Sequence, residues 1–357
     1  MNMKKIGKIL LCVFIAMFFL SCAFFSLGML IPGASQAAEG AGKRPELIED
    51  GKINDNFGDE FETWFSKSFA FRGKVVDAFD SFREKVLKTG NDQVIVGKNG
   101  FLFFNETVDS YTGENQMTDD EIASAAQALL NMQDHAKEHG AEFVFVCAPN
   151  KATVYSGDMP ARYKKYIGET ELDRLYSALD GLGVAYLDLR ETLTDAAQSS
   201  LVYHKRDTHW NGAGALIAYE SISEKLGRET ADFGEAILTH DFEGDLDALL
   251  YPGKSAYDDD VTYDFTDRFV YTSAYSNQMN MSISTRGGGE GKILVFRDSF
   301  GNAMIPFIAS SYSEAKFERA NPYRIDILHE YQADDVVVII AERNIRDLIG
   351  CDGRIAG

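Results

Sequence analysis

Cysteine is scarce in this sequence, and its positions exclude two kinds of protein. Of four cysteines among 357 residues, two lie within an N-terminal apolar run, and only Cys147 and Cys351 follow it. Such a chain has neither a disulfide framework nor the paired cysteine spacing of a zinc site. We expect Cys147 to pack as a small buried hydrophobic residue, with a disulfide to Cys351 as the less expected alternative.

Positive charge is also in short supply. The chain has 35 lysines and arginines against 55 acidic residues, and residues 1–37 hold three of the lysines and no acid. The remainder therefore carries 32 basic and 55 acidic residues, a formal charge of −23. A surface of this kind repels nucleic acid and other polyanions, so no nucleic-acid partner is expected. It favours a neutral or cationic acceptor, although solubility alone explains it more simply.

The N-terminus contains the one long hydrophobic run. Residues 6–31 are apolar apart from Lys8 and small residues, and Lys4 and Lys5 precede them. The run is long enough to span a bilayer, and its basic flank places the N-terminus in the cytoplasm. We predict a single membrane anchor within residues 1–37, with a cleaved signal peptide or a lipoprotein as alternatives. All three place the rest of the chain outside the cytoplasm.

The remaining sequence predicts a tether at residues 38–53 and one α/β domain at 54–357. Apolar residues at helical spacing predict two helices near 61–69 and 75–86, and an Asn-Gly turn predicts a hairpin at 94–104. Apolar strands then alternate with helices, which is typical of a parallel sheet flanked by helices. Residues 230–290 interrupt this alternation with short β-prone pieces, and we interpret them as a β-rich insertion. A triple glycine at 287–289 precedes a strand, which excludes a phosphate-binding loop there.

Two short motifs carry the candidate chemistry: DTHWNG at 207–212 and RDSFG at 297–301. A serine hydroxyl needs a neighbouring base to act as a nucleophile at neutral pH, and histidine suits that task. We assign Ser299 as nucleophile, His209 as general base and acid, and Asp207 as the group that orients the imidazole. Alternatively, Asp207 caps a helix and His209 and Ser299 are ordinary loop residues.

Residues in and around the two motifs are candidates for an oxyanion hole, a metal site and substrate contacts. The backbone N–H groups of Ser299 and Gly301 precede a helix and are suited to an oxyanion hole, to which Asn344 adds an amide at the end of another strand. No cofactor and no metal site are predicted, although a zinc site at His204, Asp207 and His209 is a weaker alternative. The residues predicted to contact substrate are Asn150, Lys151, Trp210 and Arg297.

These motifs resemble the SGNH-hydrolase-like domain of alginate O-acetylation proteins and their DHHW relatives. The resemblance extends from about residue 54 to the C-terminus and includes further pieces of sequence. In common SGNH esterases the serine precedes the Asp/His pair, so the reversed order here is similar to a circular permutation. The resemblance implies a flavodoxin-like parallel sheet, circularly permuted. The further pieces are FR at 71–72, VGKNGFLF at 96–103, APNK at 148–151, GDL at 244–246 and AERN at 341–344.

The resemblance also implies a function. It indicates an exported or membrane-tethered O-acetyltransferase that modifies a cell-surface or secreted polysaccharide through an acetyl-serine intermediate. The acetyl donor would be delivered by a membrane O-acyltransferase. Two rival hypotheses remain: a polysaccharide O-acetylesterase with the same Ser-His-Asp triad, and a non-catalytic glycan-binding protein of the cell envelope.

Overall fold

A computed structural model describes residues 19, 45–49, 52–54, 56–68, 90–251, 256–319 and 321–351. The chain divides into two compact units, residues 1–87 and 88–357. The predicted membrane segment lies outside the described residues except for Phe19, and the predicted domain start at residue 54 falls within the first unit; both stay predictions. Within the described ranges, no helix is both long enough and apolar enough to cross a bilayer.

The described helices and strands are numbered in chain order, and short 3₁₀ turns are named by their residues. The strands are β1 (Ile48–Glu49), β2 (Lys52–Ile53), β3 (Val94–Val96), β4 (Leu102–Phe104), β5 (Glu142–Ala148), β6 (Tyr186–Asp188), β7 (Ile237–Glu243), β8 (Tyr257–Thr262), β9 (Phe269–Tyr271), β10 (Ser282–Gly287), β11 (Lys292–Arg297), β12 (Glu314–Glu318) and β13 (Asp335–Ala341). The helices are α1 (Phe57–Ser68), α2 (Val108–Thr112), α3 (Asp119–Glu138), α4 (Lys151–Val154), α5 (Glu171–Leu182), α6 (Arg190–Ala196), α7 (Gly212–Lys225), α8 (Asp245–Leu250) and α9 (Ile305–Ser311).

In the first unit, β1 and β2 pair in antiparallel fashion and α1 follows them. Helix α1 corresponds to the first predicted amphipathic helix, and the rings of Phe61 and Trp64 lie 5.7 Å apart on it. The second predicted helix, near residues 75–86, lies outside the described residues.

The second unit is built on a mixed sheet with the strand order β6-β5-β13-β11-β12-β10-β9. The first five of these strands pair in parallel, and β10 and β9 continue the sheet in antiparallel pairing. All seven residues of β13 are buried, as expected for a central strand covered on both faces. The predicted α/β fold is confirmed.

Helices cover both faces of this sheet because side chains alternate along each strand. Val144 and Val146 of β5 face one layer, which contains α7 and α9. Phe143 and Phe145 face the opposite layer, which contains α3 and α5. Both α3 and α5 begin with a capping box, in which a threonine hydroxyl and an acidic side chain satisfy each other's backbone N–H groups.

Two predicted β features have the expected position. Strands β3 and β4 form the predicted hairpin, and its turn residues Asn99 and Gly100 have φ of 53° and 85°, values that favour these two residue types. Residues 230–290 contain strands as predicted, but these strands divide. Strands β7 and β8 pair with each other, whereas β9 and β10 extend the central sheet.

Candidate active site

Ser299 and the 207–209 segment come from elements that are remote in sequence. Ser299 follows the carboxyl end of β11 and precedes a 3₁₀ turn at Phe300–Met304. The other segment precedes α7, whose first turn is capped by the Asn211 side chain accepting from Gly214 N. A bridge between Tyr203 and Trp210 folds that segment into a short hairpin.

The hairpin and the strand end bring three polar side chains into a hydrogen-bonded chain. His209 Nδ1 lies 2.7 Å from Asp207 Oδ1, and His209 Nε2 lies 2.8 Å from Ser299 Oγ. A carboxylate only accepts, so Nδ1 carries the proton and Nε2 is free to accept from the serine hydroxyl. The predicted convergence of these three residues is therefore present.

Asp207 is buried and fully hydrogen-bonded. Besides the imidazole, its Oδ1 accepts from His209 N and its Oδ2 accepts from Asp245 N, each at 2.8 Å. Burial alone would raise the pKa of Asp207, but the hydrogen bonds and the positive charge available on His209 hold that pKa well below its usual value. Asp207 is therefore ionised at neutral pH and is suited to stabilise an imidazolium.

Asp245 is a second carboxylate at the imidazole that sequence reasoning missed. Its Oδ2 lies 3.7 Å from His209 Nδ1 and accepts from the Thr208 hydroxyl at 2.6 Å. Burial and the nearby charge of Asp207 raise the pKa of Asp245. Asp245 lies in the GDL piece at 244–246, which contributes to the family resemblance. Because 38 positions separate it from Asp207, the sequence did not indicate that the two residues are in contact.

Asp298 precedes Ser299, and its carboxylate is a structural hydrogen-bond acceptor. Its Oδ1 accepts from Phe300 N at 2.8 Å, and its Oδ2 accepts from Ala341 N at 2.7 Å and Asn344 Nδ2 at 2.9 Å. Asp298 thus ties the serine turn to the end of β13. The Asn344 amide, predicted for the oxyanion hole, is engaged in that tie.

Arg297, predicted to contact substrate, is fully buried and has another task. One of its terminal nitrogens donates to Asn302 Oδ1, and the other donates to the carbonyl oxygens of Gln278 and Asn280 at 3.1 and 3.2 Å. Burial lowers the pKa of Arg297 to about 10. Because a guanidinium only donates, this contact fixes the Asn302 amide with its NH₂ group directed away from Arg297.

Gly301 is required by the same arginine. A Cβ on Gly301 would lie 2.6 Å from Arg297 Cβ, so a side chain there would displace the turn that follows Ser299. Ser299 and Gly301 lie at the start of this turn, and the role of their backbone N–H groups as oxyanion donors stays a prediction.

Lys151 also has a task other than the predicted substrate contact. It is buried, and its ammonium donates to the carbonyl oxygens of His204, Lys205 and Asp207 at 3.1, 3.0 and 2.5 Å. Burial lowers the pKa of Lys151 to about 7, against the opposing effect of Asp207 and nearby acids. The lysine at the end of β5 therefore holds the hairpin that carries Asp207 and His209.

The two other predicted substrate residues differ from each other. Trp210 lines the cavity beside Ser299, and its indole N–H donates to Phe300 O at 3.0 Å. Asn150 is buried at the end of β5, where its backbone N–H donates to Glu342 Oε2 at 2.7 Å. Its side-chain amide has no hydrogen-bond partner among the described residues. A substrate contact by Asn150 stays a prediction.

Ser299 and His209 open into a cavity of about 250 Å³. The insertion supplies one wall, from Phe242 of β7, residues 260–263 and Gln278, and the 3₁₀ turn and α9 supply another. Asn302, at the rim near Ser299, is a polar group that sequence reasoning missed because its role depends on Arg297. The aromatic lining residues are Trp210, Phe242, Tyr263, Phe265, Phe300 and Phe307.

His204 does not join His209 in a metal-ligand set. Its Nδ1 lies 3.2 Å from Asp259 O, its Nε2 lies 3.6 Å from Asp260, and its ring stacks on Phe242. Asp207, His209 and Asp245 do lie close enough together to hold an ion, but the His209 nitrogen that faces both carboxylates, Nδ1, carries a proton and has no lone pair for an ion. Their arrangement is therefore better suited to proton transfer.

A model of the family described as "SGNH hydrolase-like domain, acetyltransferase AlgX" matches residues 94–279, just over half of the chain. The chain belongs to this family. The match contains Asp207 and His209 and ends before Ser299.

Curated relatives agree with this membership. The protein named "Probable alginate O-acetylase AlgJ" of Pseudomonas putida is 21% identical over 231 residues, a match that covers 63% of this chain and 59% of the relative. The protein of the same name from Pseudomonas aeruginosa is 26% identical over 204 residues, covering 56% and 46%. The chain thus spans about half the length of the curated relatives it matches.

Solved structures share the fold. A DHHW family protein of Eubacterium siraeum aligns with a TM-score of 0.55 at 16% identity, covering 72% of this chain and 97% of that protein. PatB1 of Bacillus cereus aligns with a TM-score of 0.55 at 17% identity, covering 71% and 97%. At these identities the likeness shows the fold alone, and it agrees with the predicted SGNH-hydrolase-like architecture.

Proposed function

We propose that this protein is an O-acetyltransferase that acts outside the cytoplasm on a polysaccharide. The observation that carries the proposal is the hydrogen-bonded chain from Asp207 through His209 to Ser299, which opens into an aromatic cavity. Two comparisons support the proposal. The description of the matching family includes the word acetyltransferase, and the names of the curated relatives include alginate O-acetylase.

In the first half-reaction, Ser299 is the nucleophile. Its Oγ attacks the carbonyl carbon of the acetyl donor while His209 Nε2, 2.8 Å away, takes the hydroxyl proton. Asp207, ionised and 2.7 Å from Nδ1, stabilises the imidazolium that forms. The bond to the leaving group then breaks, and the imidazolium returns the proton to that group, leaving acetyl-Ser299.

In the second half-reaction, a sugar hydroxyl is the nucleophile. It attacks the acetyl carbonyl of acetyl-Ser299 and loses its proton to His209 Nε2. The bond between the acetyl carbon and Ser299 Oγ breaks, and Oγ recovers that proton from the imidazolium. The products are the O-acetylated sugar and free Ser299, so atoms and charge balance over the cycle.

Both tetrahedral intermediates carry a negative oxygen that needs N–H donors. We assign the backbone N–H groups of Ser299 and Gly301 to this role, and the Asn302 amide as the side-chain donor. Asn302 lines the cavity, and Arg297 holds its Oδ1. Its Nδ2 lies 3.9 Å from Met279 Sδ, a weak acceptor that an oxyanion would displace more readily than a carboxylate. Asn344 is the less suited amide because it donates to Asp298.

Transfer competes with hydrolysis, because water that reaches acetyl-Ser299 gives an acetylesterase. The aromatic wall supplied by the insertion favours transfer, since it offers apolar faces to a sugar ring and covers the intermediate. The acetyl group would arrive from a membrane O-acyltransferase, and the N-terminal segment would hold the enzyme at the membrane beside that partner.

The activity is tested by incubating the purified chain with p-nitrophenyl acetate. We expect wild-type protein to release nitrophenol and to gain the mass of one acetyl group on Ser299. Ser299→Ala should lower the rate by at least about 10³-fold, because removal of a triad nucleophile removes the concerted chemistry. The matched control is Ser221→Ala, since the Ser221 hydroxyl bonds only its own helix at Ile217 O.

The outcomes separate the three functions. Adding oligosaccharides to acetyl-enzyme and weighing the products distinguishes transferase from esterase, because only transfer adds acetyl mass to the sugar. Equal nitrophenol release by wild type and Ser299→Ala would contradict an acetyl-serine enzyme. Glycan binding without acetyl chemistry would then favour the non-catalytic envelope protein.

A further inference from the structure

Three of the six histidines of the chain meet at one place that the proposed reaction does not use. His135 and His139 lie one turn apart at the end of α3, and His329 ends a 3₁₀ turn at Ile325–His329. The ring centroids are 4.4, 4.8 and 5.2 Å apart. We call these three residues the histidine cluster.

The histidine cluster is far from the nucleophile in the topology of the sheet. Helix α3 leads into the amino end of β5, and the 325–329 turn leads into the amino end of the neighbouring strand β13. Ser299 and Asn344 follow the carboxyl ends of β11 and β13. The cluster therefore lies at the opposite edge of the sheet and joins two elements of one helical layer.

The nitrogens are spaced for a shared ligand. One ring nitrogen from each histidine lies within 4.8 Å of the other two, and His139 Nε2 is 3.2 Å from His329 Nδ1. Two imidazoles on a tetrahedral zinc ion, each with a bond of about 2.05 Å, would place their nitrogens about 3.3 Å apart. One pair already has that spacing, and the third ring needs an approach of about 1.5 Å at most.

The proton positions also suit a cation. His139 Nδ1 lies 2.9 Å from His135 O, and a carbonyl only accepts, so Nδ1 carries the proton and Nε2 presents a lone pair to the cluster. Such a hydrogen bond to a backbone carbonyl is the usual means of orienting a metal-binding histidine. His135 is 94% buried, and its Nε2 has no hydrogen-bond partner among the described residues.

Acidic groups lie near the cluster. Glu138 lies 3.9 Å from His135 Nδ1, and the charge of Asp326 also acts on that ring, although burial is the larger effect and lowers the pKa of His135. The cluster is at the C-terminal end of a 20-residue helix, where the helix dipole attracts cations. His329 is exposed, which leaves a path from solvent to the site.

We propose that His135, His139 and His329 form a binding site for a borderline divalent transition-metal ion of the zinc class, which cross-links α3 to the 325–329 turn. Three neutral imidazoles select such an ion over magnesium or calcium, which prefer oxygen ligands. The site is structural, because it lies outside the cavity that contains Ser299. It is independent of the proposed acetyl transfer.

The test is a titration of the full chain, freed of metal with a chelator, with Zn²⁺ in a calorimeter. We expect one ion per chain, a thermal midpoint that rises with zinc, and visible absorption bands of tetrahedral Co²⁺ when cobalt replaces zinc. Loss of an outer hydrogen-bond partner of a metal ligand costs roughly 10–100-fold in affinity, so loss of a ligand should cost at least about 100-fold. His329→Gln and His139→Gln are the variants.

The exposed position of His329 makes His329→Gln the safer variant, and its fold is checked by circular dichroism without zinc. His240→Gln is the matched control, because His240 is an exposed histidine paired with Asp259 away from the cluster. Unchanged zinc affinity in both cluster variants would overturn the proposal. So would the absence of zinc binding by wild type, or a loss of binding caused by His209→Gln in place of His329→Gln.

Discussion

Lys151 shows, at the scale of one residue, how a buried charge can position the hairpin that carries Asp207 and His209. Its three hydrogen bonds all go to backbone carbonyls of residues 204–207, and their number equals the three N–H groups of an ammonium. An uncharged amine has only two such groups, so the carbonyl contacts favour the charged form that burial disfavours. The hairpin that carries Asp207 and His209 depends on this side chain for its position.

We therefore predict that Lys151→Met lowers stability and kcat and leaves KM nearly unchanged. Methionine fills the space but leaves carbonyl oxygens without a donor, which should lower the free energy of unfolding by about 2 kcal/mol. The displaced hairpin moves His209 away from Ser299, which slows the chemical step. Urea unfolding and acetyl-transfer kinetics measure the two effects. A raised KM with unchanged kcat would instead indicate the substrate contact predicted from the sequence.

Residue chemistry explains which parts of the site could be predicted. Asp207, His209 and Ser299 could be selected because their types and turn contexts are those expected of an acyl-transfer site, and the structure brings the three side chains together. The substrate contacts of Lys151 and Arg297 stay predictions, and the sequence could not show that backbone carbonyls surround both side chains. Asp245 and Asn302 were missed because their roles depend on a contact with Asp207 and with Arg297, respectively.

At the scale of elements, the first residue of α7 contacts β8 at the wall of the cavity. Gly212 begins α7 immediately after the hairpin, and a Cβ there would lie 1.8 Å from the carbonyl oxygen of Val261 in β8. Both residues line the cavity. The insertion thus approaches the first residue of α7 closely enough that only glycine fits.

From this contact we predict that Gly212→Ala destabilises the protein and impairs acceptor use. Because the backbone atoms cannot rotate away, the clash should lower the free energy of unfolding by about 2 kcal/mol and push β8 outward. Gly181→Ala is the matched control, since Gly181 lies in α5 and an added Cβ there would meet no atom within 4 Å. This variant should raise the free energy of unfolding by about 0.5–1 kcal/mol. Urea unfolding of both variants checks the pair. Equal free energies of unfolding for the two variants would show that β8 can move away from α7 without cost.

Elements differed in how well the sequence predicted them. The Asn99-Gly100 turn is local, and its prediction was confirmed. The capping boxes of α3 and α5 are local features of the same kind, since each depends on residues three positions apart. Strands β9 and β10 were placed in an insertion because short β-prone pieces carry no information about their partners. The pairing of β10 with β12, and of β9 with β10 at the sheet edge, is a long-range property of the whole sheet.

At the scale of the whole molecule, the sheet separates two kinds of site. Ser299 follows the carboxyl end of β11, where it meets the hairpin that carries Asp207 and His209 beside a cavity. The amino ends carry the histidine cluster, where rigidity is needed. Because α3, β5 and β13 belong to both edges, an ion at the cluster would stiffen the elements that hold Lys151 and Asp298 without entering the reaction.

The formal charge of −20 gives a prediction about the acceptor. Acidic residues such as Asp207 and Asp260 line the cavity, so a polyanionic glycan meets repulsion both at long range and at the site. We predict that a neutral oligosaccharide is acetylated at a rate independent of salt, and that an anionic one of equal length is slower at low salt. Raising the salt from about 20 to 300 mM shortens the Debye length and should speed only the anionic acceptor. The measurement is initial transfer rate for both acceptors over that range, with p-nitrophenyl acetate hydrolysis as the control for effects on the enzyme itself. A faster rate with the anionic acceptor at low salt would reveal a local basic path that outweighs the net charge.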